Sequence, residues 1–277
     1  MNNRIIAHGN SVYEGPAVVD TAIMVGFNPV TELVYISSFY NRHNSTWYLL
    51  GGNSNGAVFS WKWTGSTWVS SPEFIADGYV QNVTFDGYDI AATPSMFYIG
   101  SQAYMIVGEY YGYFTGYQWG TTMSHPSSWF WDGSSAIISG LPADVGSRSV
   151  VCGLEMDGTA YLLVGTDTDN ASYFRWTGSA WLTDTFIGTG IPSIGRAGNF
   201  NYFEMGNEKF LVISSTYSSV AWLTYKWGGS SWVANDYIMS GIPKIGNEKR
   251  STAFFNINGN NYIIHNQGPN RTGYRLP

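Results

Sequence analysis

Charge is scarce in this chain. Lys, Arg, Asp and Glu make up 12% of its 277 residues, about half the usual share. Acids outnumber bases 19 to 13. Such a surface excludes a general nucleic-acid binder, which depends on a basic face. Cysteine is nearly absent. Cys152 stands alone, so there is no intrachain disulfide and no zinc site built on two cysteines. Its strand-like setting, Val150-Val151-Cys152-Gly153, marks it as a small buried apolar residue. No apolar run approaches the roughly 18 residues of a membrane span, so no membrane insertion is expected. Met1 to Gly9 shows no basic stretch leading into an apolar one, so no signal peptide is expected. His-x-x-x-His spacing, a phosphate loop and Gly-x-Gly-x-x-Gly are all missing, which leaves no metal or cofactor to expect.

Aromatics fill the space that charge leaves. They are 17% of the chain, with 12 Trp and 20 Tyr, beside 33 Gly. Disordered segments are poor in aromatics, and helical bundles are rich in Ala, Glu, Lys and Leu, so both are excluded. Ser, Thr, Asn, Gly and Tyr stand where Lys and Glu are usual. That composition suits display outside a cell or on a viral particle.

Repeats organise the sequence. A short apolar run recurs as Tyr48-Leu49-Leu50-Gly51, Tyr104-Met105-Ile106-Val107-Gly108, Tyr161-Leu162-Leu163-Val164-Gly165, Phe210-Leu211-Val212-Ile213 and Tyr262-Ile263-Ile264. The copies lie roughly 50–57 residues apart. Each is followed by an aromatic-x-Trp pair: Trp61/Trp63, Tyr117/Trp119, Phe174/Trp176 and Tyr225/Trp227, decaying to Tyr274/Leu276. Period-2 aromatics joined by Gly-containing turns predict hairpins. A third element pairs an apolar residue with Ile and closes on Gly, as in Phe186-Ile187-Gly188-Thr189-Gly190. A further strand precedes each apolar run.

Four strands per unit and five units predict a single all-β domain over 1–277, a five-bladed β-propeller. The repeats centre on 48–78, 104–140, 161–190, 210–241 and 262–277. The last blade lacks its third element, and Ile5-Ile6-Ala7-His8-Gly9 is expected to supply it as the closing N-terminal strand (4–9). Long insertions fall at 10–31 and 79–92. Two β-sandwich domains are the alternative, but they predict neither the spacing nor the split repeat.

The turns Trp63-Thr64-Gly65-Ser66-Thr67-Trp68, Trp176-Thr177-Gly178-Ser179-Ala180-Trp181 and Trp227-Gly228-Gly229-Ser230-Ser231-Trp232 resemble those of five-bladed tachylectin-type lectin propellers. The Tyr-Leu-Leu-Val-Gly run resembles integrin-type FG-GAP propeller repeats. Both resemblances imply the fold and transfer no function.

With strands lettered A to D from the axis outwards, A–B and C–D turns leave one face, and B–C and D–A connections the other. The A–B turns are tight. The B–C loops vary and are rich in Asn, Asp and Tyr, and variable loops on a rigid scaffold are where binding concentrates. Tyr79, Tyr88, Tyr110, Tyr111, Tyr113 and Tyr217 are candidate sugar platforms, with Asp167, Asp169, Asn170 and Asn266 as hydroxyl partners. Arg148, Arg196 and Arg250 each precede an axial strand and are candidates to ring the channel mouth around an anion.

No catalytic residue stands out. The expected function is recognition without chemistry: a lectin-like protein that binds a glycan or cell-surface receptor through the B–C/D–A face, as a virion decoration, fibre or receptor-binding component. A purely structural role, docked on other virion or surface proteins, is the second reading. A polysaccharide-active glycosidase, with Glu109, Tyr110 and Asp86 beside the three Arg in a sialidase-like arrangement, is the third.

Overall fold

A computed structural model describes residues 16–28, 33–53, 57–72, 94–108, 113–120, 130–143, 150–165, 171–192, 197–215, 222–243, 250–267 and 270–277. The chain first lays down a two-residue strand, β1 (Val18–Val19). Blade 1 follows as β2 (Leu33–Asn41), β3 (Thr46–Asn53), β4 (Val58–Trp63) and β5 (Trp68–Ser70). Blade 2 is β6 (Pro94–Ile99), β7 (Gln102–Gly108), β8 (Phe114–Gly120) and β9 (Phe130–Gly133). Blade 3 is β10 (Val150–Met156), β11 (Thr159–Gly165), β12 (Ser172–Trp176) and β13 (Trp181–Thr183). Blade 4 is β14 (Ala197–Met205), β15 (Glu208–Ser215), β16 (Trp222–Trp227) and β17 (Trp232–Ala234). Blade 5 is β18 (Arg250–Ile257), β19 (Asn260–Gln267) and β20 (Asn270–Arg275), completed by β1.

Every blade is a four-stranded antiparallel sheet in sequence order, apart from the borrowed strand. The innermost strands touch around a closed ring, β2 to β6, β10, β14, β18 and back to β2. The protein is a five-bladed β-propeller. The apolar runs are the B strands, buried on both faces because each sheet is sandwiched between two others. The core is accordingly divided. Five clusters of buried side chains each lie between neighbouring blades, such as Leu154, Leu163, Phe200 and Leu211 between blades 3 and 4.

Two details differ from expectation. The strand paired with β20 is Val18–Val19, with Val18 opposite Arg275 and Val19 opposite Tyr274. The expected closing strand at Ile5–Gly9 lies outside the described residues. The closing strand therefore sits within the segment expected as an insertion. The turn that follows it, Ile23-Met24-Val25-Gly26, shares its Ile and its closing Gly, at the same spacing, with Ile187-Gly188-Thr189-Gly190 of blade 3. Where it is described, the third repeated element is also not a strand. It is a 3-10 turn at Thr21–Met24, Ala136–Ile138 and Phe186–Gly188, burying Ile23, Ile137 and Ile187 respectively. A single inward side chain followed by a left-handed Gly suits one tight turn, not an extended strand.

That turn fastens blade 5 to blade 1, blade 2 to blade 3 and blade 3 to blade 4. The indole N–H of Trp68 donates to the Ile23 carbonyl at 2.9 Å, that of Trp181 to Ile137 at 2.6 Å, and that of Trp232 to Ile187 at 2.8 Å. Backbone bonds run alongside, from Trp181 N to Ser139 O and from Trp232 N to Thr189 O, both 2.8 Å. The closing Gly must be Gly. Gly190 has φ +89°, and a Cβ there would lie 2.1 Å from the Trp232 carbonyl oxygen.

Candidate functional site

The five A–B connections end on one mouth of the axis, and four of them are minimal. Ile99 pairs with Gln102, Met156 with Thr159, Met205 with Glu208 and Ile257 with Asn260, leaving two-residue turns. Asn258-Gly259, with φ 53° and 82°, has the two positive φ values of a type I′ turn. Blade 1 departs from this. Asn41 pairs with Thr46, so its hairpin carries four residues, Arg42 to Ser45.

The longer hairpin leans over the axis. The Arg42 backbone N–H donates to the Tyr98 hydroxyl of blade 2 at 2.8 Å. Its guanidinium donates through Nη1 to the Gly100 carbonyl at 3.0 Å and lies 4.0 Å above the Tyr98 ring. Nη2 is 3.9 Å from Glu155 Oε2 on blade 3. One side chain thus links three blades. The loop is braced from within by Asn41 Oδ1, which accepts from His43 N at 2.9 Å, and by Asn44 Nδ2, which donates to Tyr48 Oη at 2.9 Å.

Beneath this hairpin lies a cavity of about 960 Å³. Its wall on blade 1 is aromatic. Tyr40 and Trp47 face each other across the hairpin with ring centroids 5.2 Å apart, and Trp63 lines the same side. Trp47 is fixed by its indole N–H, which donates to the Asn256 carbonyl of blade 5 at 2.6 Å. Tyr40 is 37% exposed. The opposite wall carries Glu155 of β10, and Tyr202 and Glu204 of β14. The Tyr202 hydroxyl donates to Glu204 Oε1 at 2.5 Å. Burial, with the Glu204 carboxylate beside it, pushes the Tyr202 phenol far above its ordinary value, so it stays a neutral donor. Burial pushes the Glu155 carboxyl up, and the Arg42 charge opposes that shift.

Below the cavity the A strands are joined by polar groups. Ser95 Oγ accepts from Gly153 N at 2.7 Å, Asn201 Nδ2 donates to Thr252 Oγ1 at 2.6 Å, and the Ser38 hydroxyl donates to the Phe254 carbonyl. Cys152 is fully buried behind this lining with its thiol pushed up to about 12, the inert apolar role its sequence context predicts.

Of the sequence candidates, the described ones do not line this cavity. Tyr79, Tyr88, Tyr110, Tyr111, Asp167, Asp169, Asn170, Tyr217, Arg148 and Arg196 fall outside the described residues, as do Glu109 and Asp86. Tyr113 is described and 54% exposed, at the entry to β8. Arg250 opens β18. Asn266 is fully buried, and its Nδ2 donates to the Leu33 carbonyl at 2.8 Å, joining blade 5 to blade 1. The residues around the cavity were not singled out from sequence. The readable signal was the hairpin Arg42–Ser45, two residues longer than its counterparts. Among the described residues no group of three or more His, Cys, Asp and Glu is placed to hold a metal ion, and no helix is long and apolar enough to cross a membrane.

Several solved propellers are similar in fold. The exo-β-1,3-galactanase of Phanerochaete chrysosporium, solved with β-1,3-galactotriose, superposes with a TM-score of 0.59 at 14% identity over 95% of this chain. The chain spans 64% of that enzyme's length. The SapL1 lectin in complex with α-methyl fucoside gives 0.51 at 16% identity, covering 90% of this chain and 94% of the lectin. An α-L-arabinofuranosidase of Clostridium thermocellum gives 0.50 at 12%, covering 87% and 83%. At these identities the likeness establishes the propeller fold alone. No family model matches the chain, and no curated protein sequence matches it.

Proposed function

We propose that the protein recognises a carbohydrate and does not cleave it, with the sugar seated in the cavity under the blade-1 hairpin. One observation carries this reading: aromatic rings, Tyr40 and Trp47, form one wall, and carboxylates, Glu155 and Glu204, form the other. A pyranose presents an apolar C–H face and a rim of hydroxyls, and it needs both kinds of surface at once. The cavity volume of about 960 Å³ is large enough for one to several sugar rings. Support also comes from the fold, which a fucoside-bound lectin shares. The charge-poor composition rich in Ser, Thr, Asn and Tyr supports display outside a cell or on a particle surface, with a glycan or glycosylated receptor as partner. The B–C/D–A face, with Tyr110, Tyr111 and Tyr217, is the competing location for the same activity.

A glycan-array screen of the full chain tests this. Specific binding is expected, lost in Tyr40→Ala and retained when Tyr110, Tyr111 and Tyr217 are changed to Ala together. The reverse pattern moves the site to the other face, and an array without signal removes the reading.

Hydrolysis is the second reading, favoured by two carboxyl groups on neighbouring axial strands, one of them raised by burial. Release of reducing sugar from β-1,3-galactan or arabinan, abolished by Glu155→Gln, would establish it.

A further inference from the structure

Glu155 is an unusual residue for a charge-poor protein to bury. It is only 8% exposed, on the axial strand β10, and it lines the cavity. Its Oε2 accepts no hydrogen bond from any described residue. Among the described residues the nearest cation is Arg42, whose Nη2 is 3.9 Å away, beyond hydrogen-bond reach. Arg42 is already committed to the Gly100 carbonyl and the Tyr98 ring. A buried carboxylate oxygen without a donor costs stability, so its retention calls for an explanation, and a ligand that donates to it is one. Glu204, on the next axial strand, brings a second carboxylate to the same wall and spends one oxygen on the Tyr202 hydroxyl.

We propose that Glu155 is the specificity anchor of the cavity: its carboxylate accepts hydroxyl groups of a neutral sugar, and with Glu204 it excludes sugars bearing carboxylate or sulfate. The inference rests on the glycan-binding reading and adds the ligand class. Two carboxylates offer acceptors only, which suits hydroxyl donors in charge-assisted bonds. Among the described residues, the cations that line the cavity, Arg42 and Lys62, balance those carboxylates in formal charge. A neutral ligand preserves that balance, whereas an added anion would upset it beside Glu155 and Glu204 in a partly enclosed space, where charge is poorly screened. Arg42 is a positioning residue here. It holds the hairpin and its Tyr40 and Trp47 platform over the anchor, and its charge opposes protonation of Glu155.

The test uses the full chain on an array printed with neutral, sulfated, uronate-bearing and sialylated oligosaccharides, followed by calorimetric titration of the strongest binder. Parent protein is expected to bind neutral glycans, and Glu155→Gln to weaken that binding about 10- to 100-fold. The melting temperature of Glu155→Gln is expected to equal or exceed the parent's. Binding confined to acidic glycans, or unchanged in Glu155→Gln while Tyr40→Ala abolishes it, overturns the anchor and leaves the glycan reading standing. A Glu155→Gln protein that melts well below the parent marks Glu155 as a structural ion-pair partner and also overturns it. No binding by the parent to any glycan removes both.

Discussion

The outer rim of this propeller repeats, and its axial mouth does not. At the rim, Trp68, Trp181 and Trp232 each send an indole N–H to the Ile carbonyl of a 3-10 turn on the preceding blade. At the mouth, the five hairpins present Arg42, Gly100, Asp157, Gly206 and Asn258 at matching positions, and the walls below differ from blade to blade. Repetition marks what every blade needs, which is attachment to its neighbour. Departure from repetition marks what only one place in the molecule needs. The rim accordingly serves attachment, and the mouth is where the proposed recognition is placed.

Breaking the rim is expected to give the largest effect. Trp181→Ala removes a fully buried indole and its hydrogen bond between blades 2 and 3, at a cost of about 3–5 kcal/mol. Chemical denaturation measures this, and glycan affinity at temperatures where the variant stays folded should be unchanged. Gly190→Ala comes next. Its φ of +89° and the 2.1 Å approach to the Trp232 carbonyl require the turn to shift, so a loss of about 1–3 kcal/mol is expected from melting. At the mouth, Arg42→Ala takes a clamp from the hairpin and should cost only about 1 kcal/mol, yet it should weaken glycan binding at least as much as either rim change. If the rim variants abolish binding in folded protein and Arg42→Ala does not, the division of labour fails.

Glu155 sharpens the comparison through pH. Its carboxyl is raised in the folded protein by burial, so the folded state binds its proton more readily than the unfolded state does. Ionised Glu155 therefore costs stability above its folded pKa, and the cost disappears as pH falls through the range above about 4.3. Glu155→Gln should match or exceed the parent in melting temperature at neutral pH, with the gap closing on acidification. The smallest effect is expected at Cys152. Its burial and a thiol pushed up to about 12 predict no labelling by a thiol reagent in the native protein and full labelling after unfolding.

The rim was readable in the sequence because it repeats. The apolar runs became the B strands, and the aromatic-x-Trp pairs of blades 1, 3 and 4 became C strands leading into the Trp that opens the D strand. Val18–Val19 was harder to find. A two-residue strand has no periodicity to read, and Ala17 stands where blades 1, 3 and 4 place Trp. Its backbone N–H still bonds to Ser240 O at 2.6 Å, so the fastening survives where its side-chain signal is lost. The mouth was not legible for a different reason. Tyr40, Glu155 and Glu204 sit on three blades and share no local pattern, since only ring closure brings them together. The loop-length difference at Arg42–Ser45 was the sole local trace.

A crystal structure of the protein with the sugar selected on the array tests the account most directly. It should show one sugar per chain in the axial cavity, a ring face against Tyr40 and Trp47, and hydroxyls on Glu155. A sugar bound instead on the B–C/D–A face near Tyr113, with the axial cavity lacking it, would contradict the account.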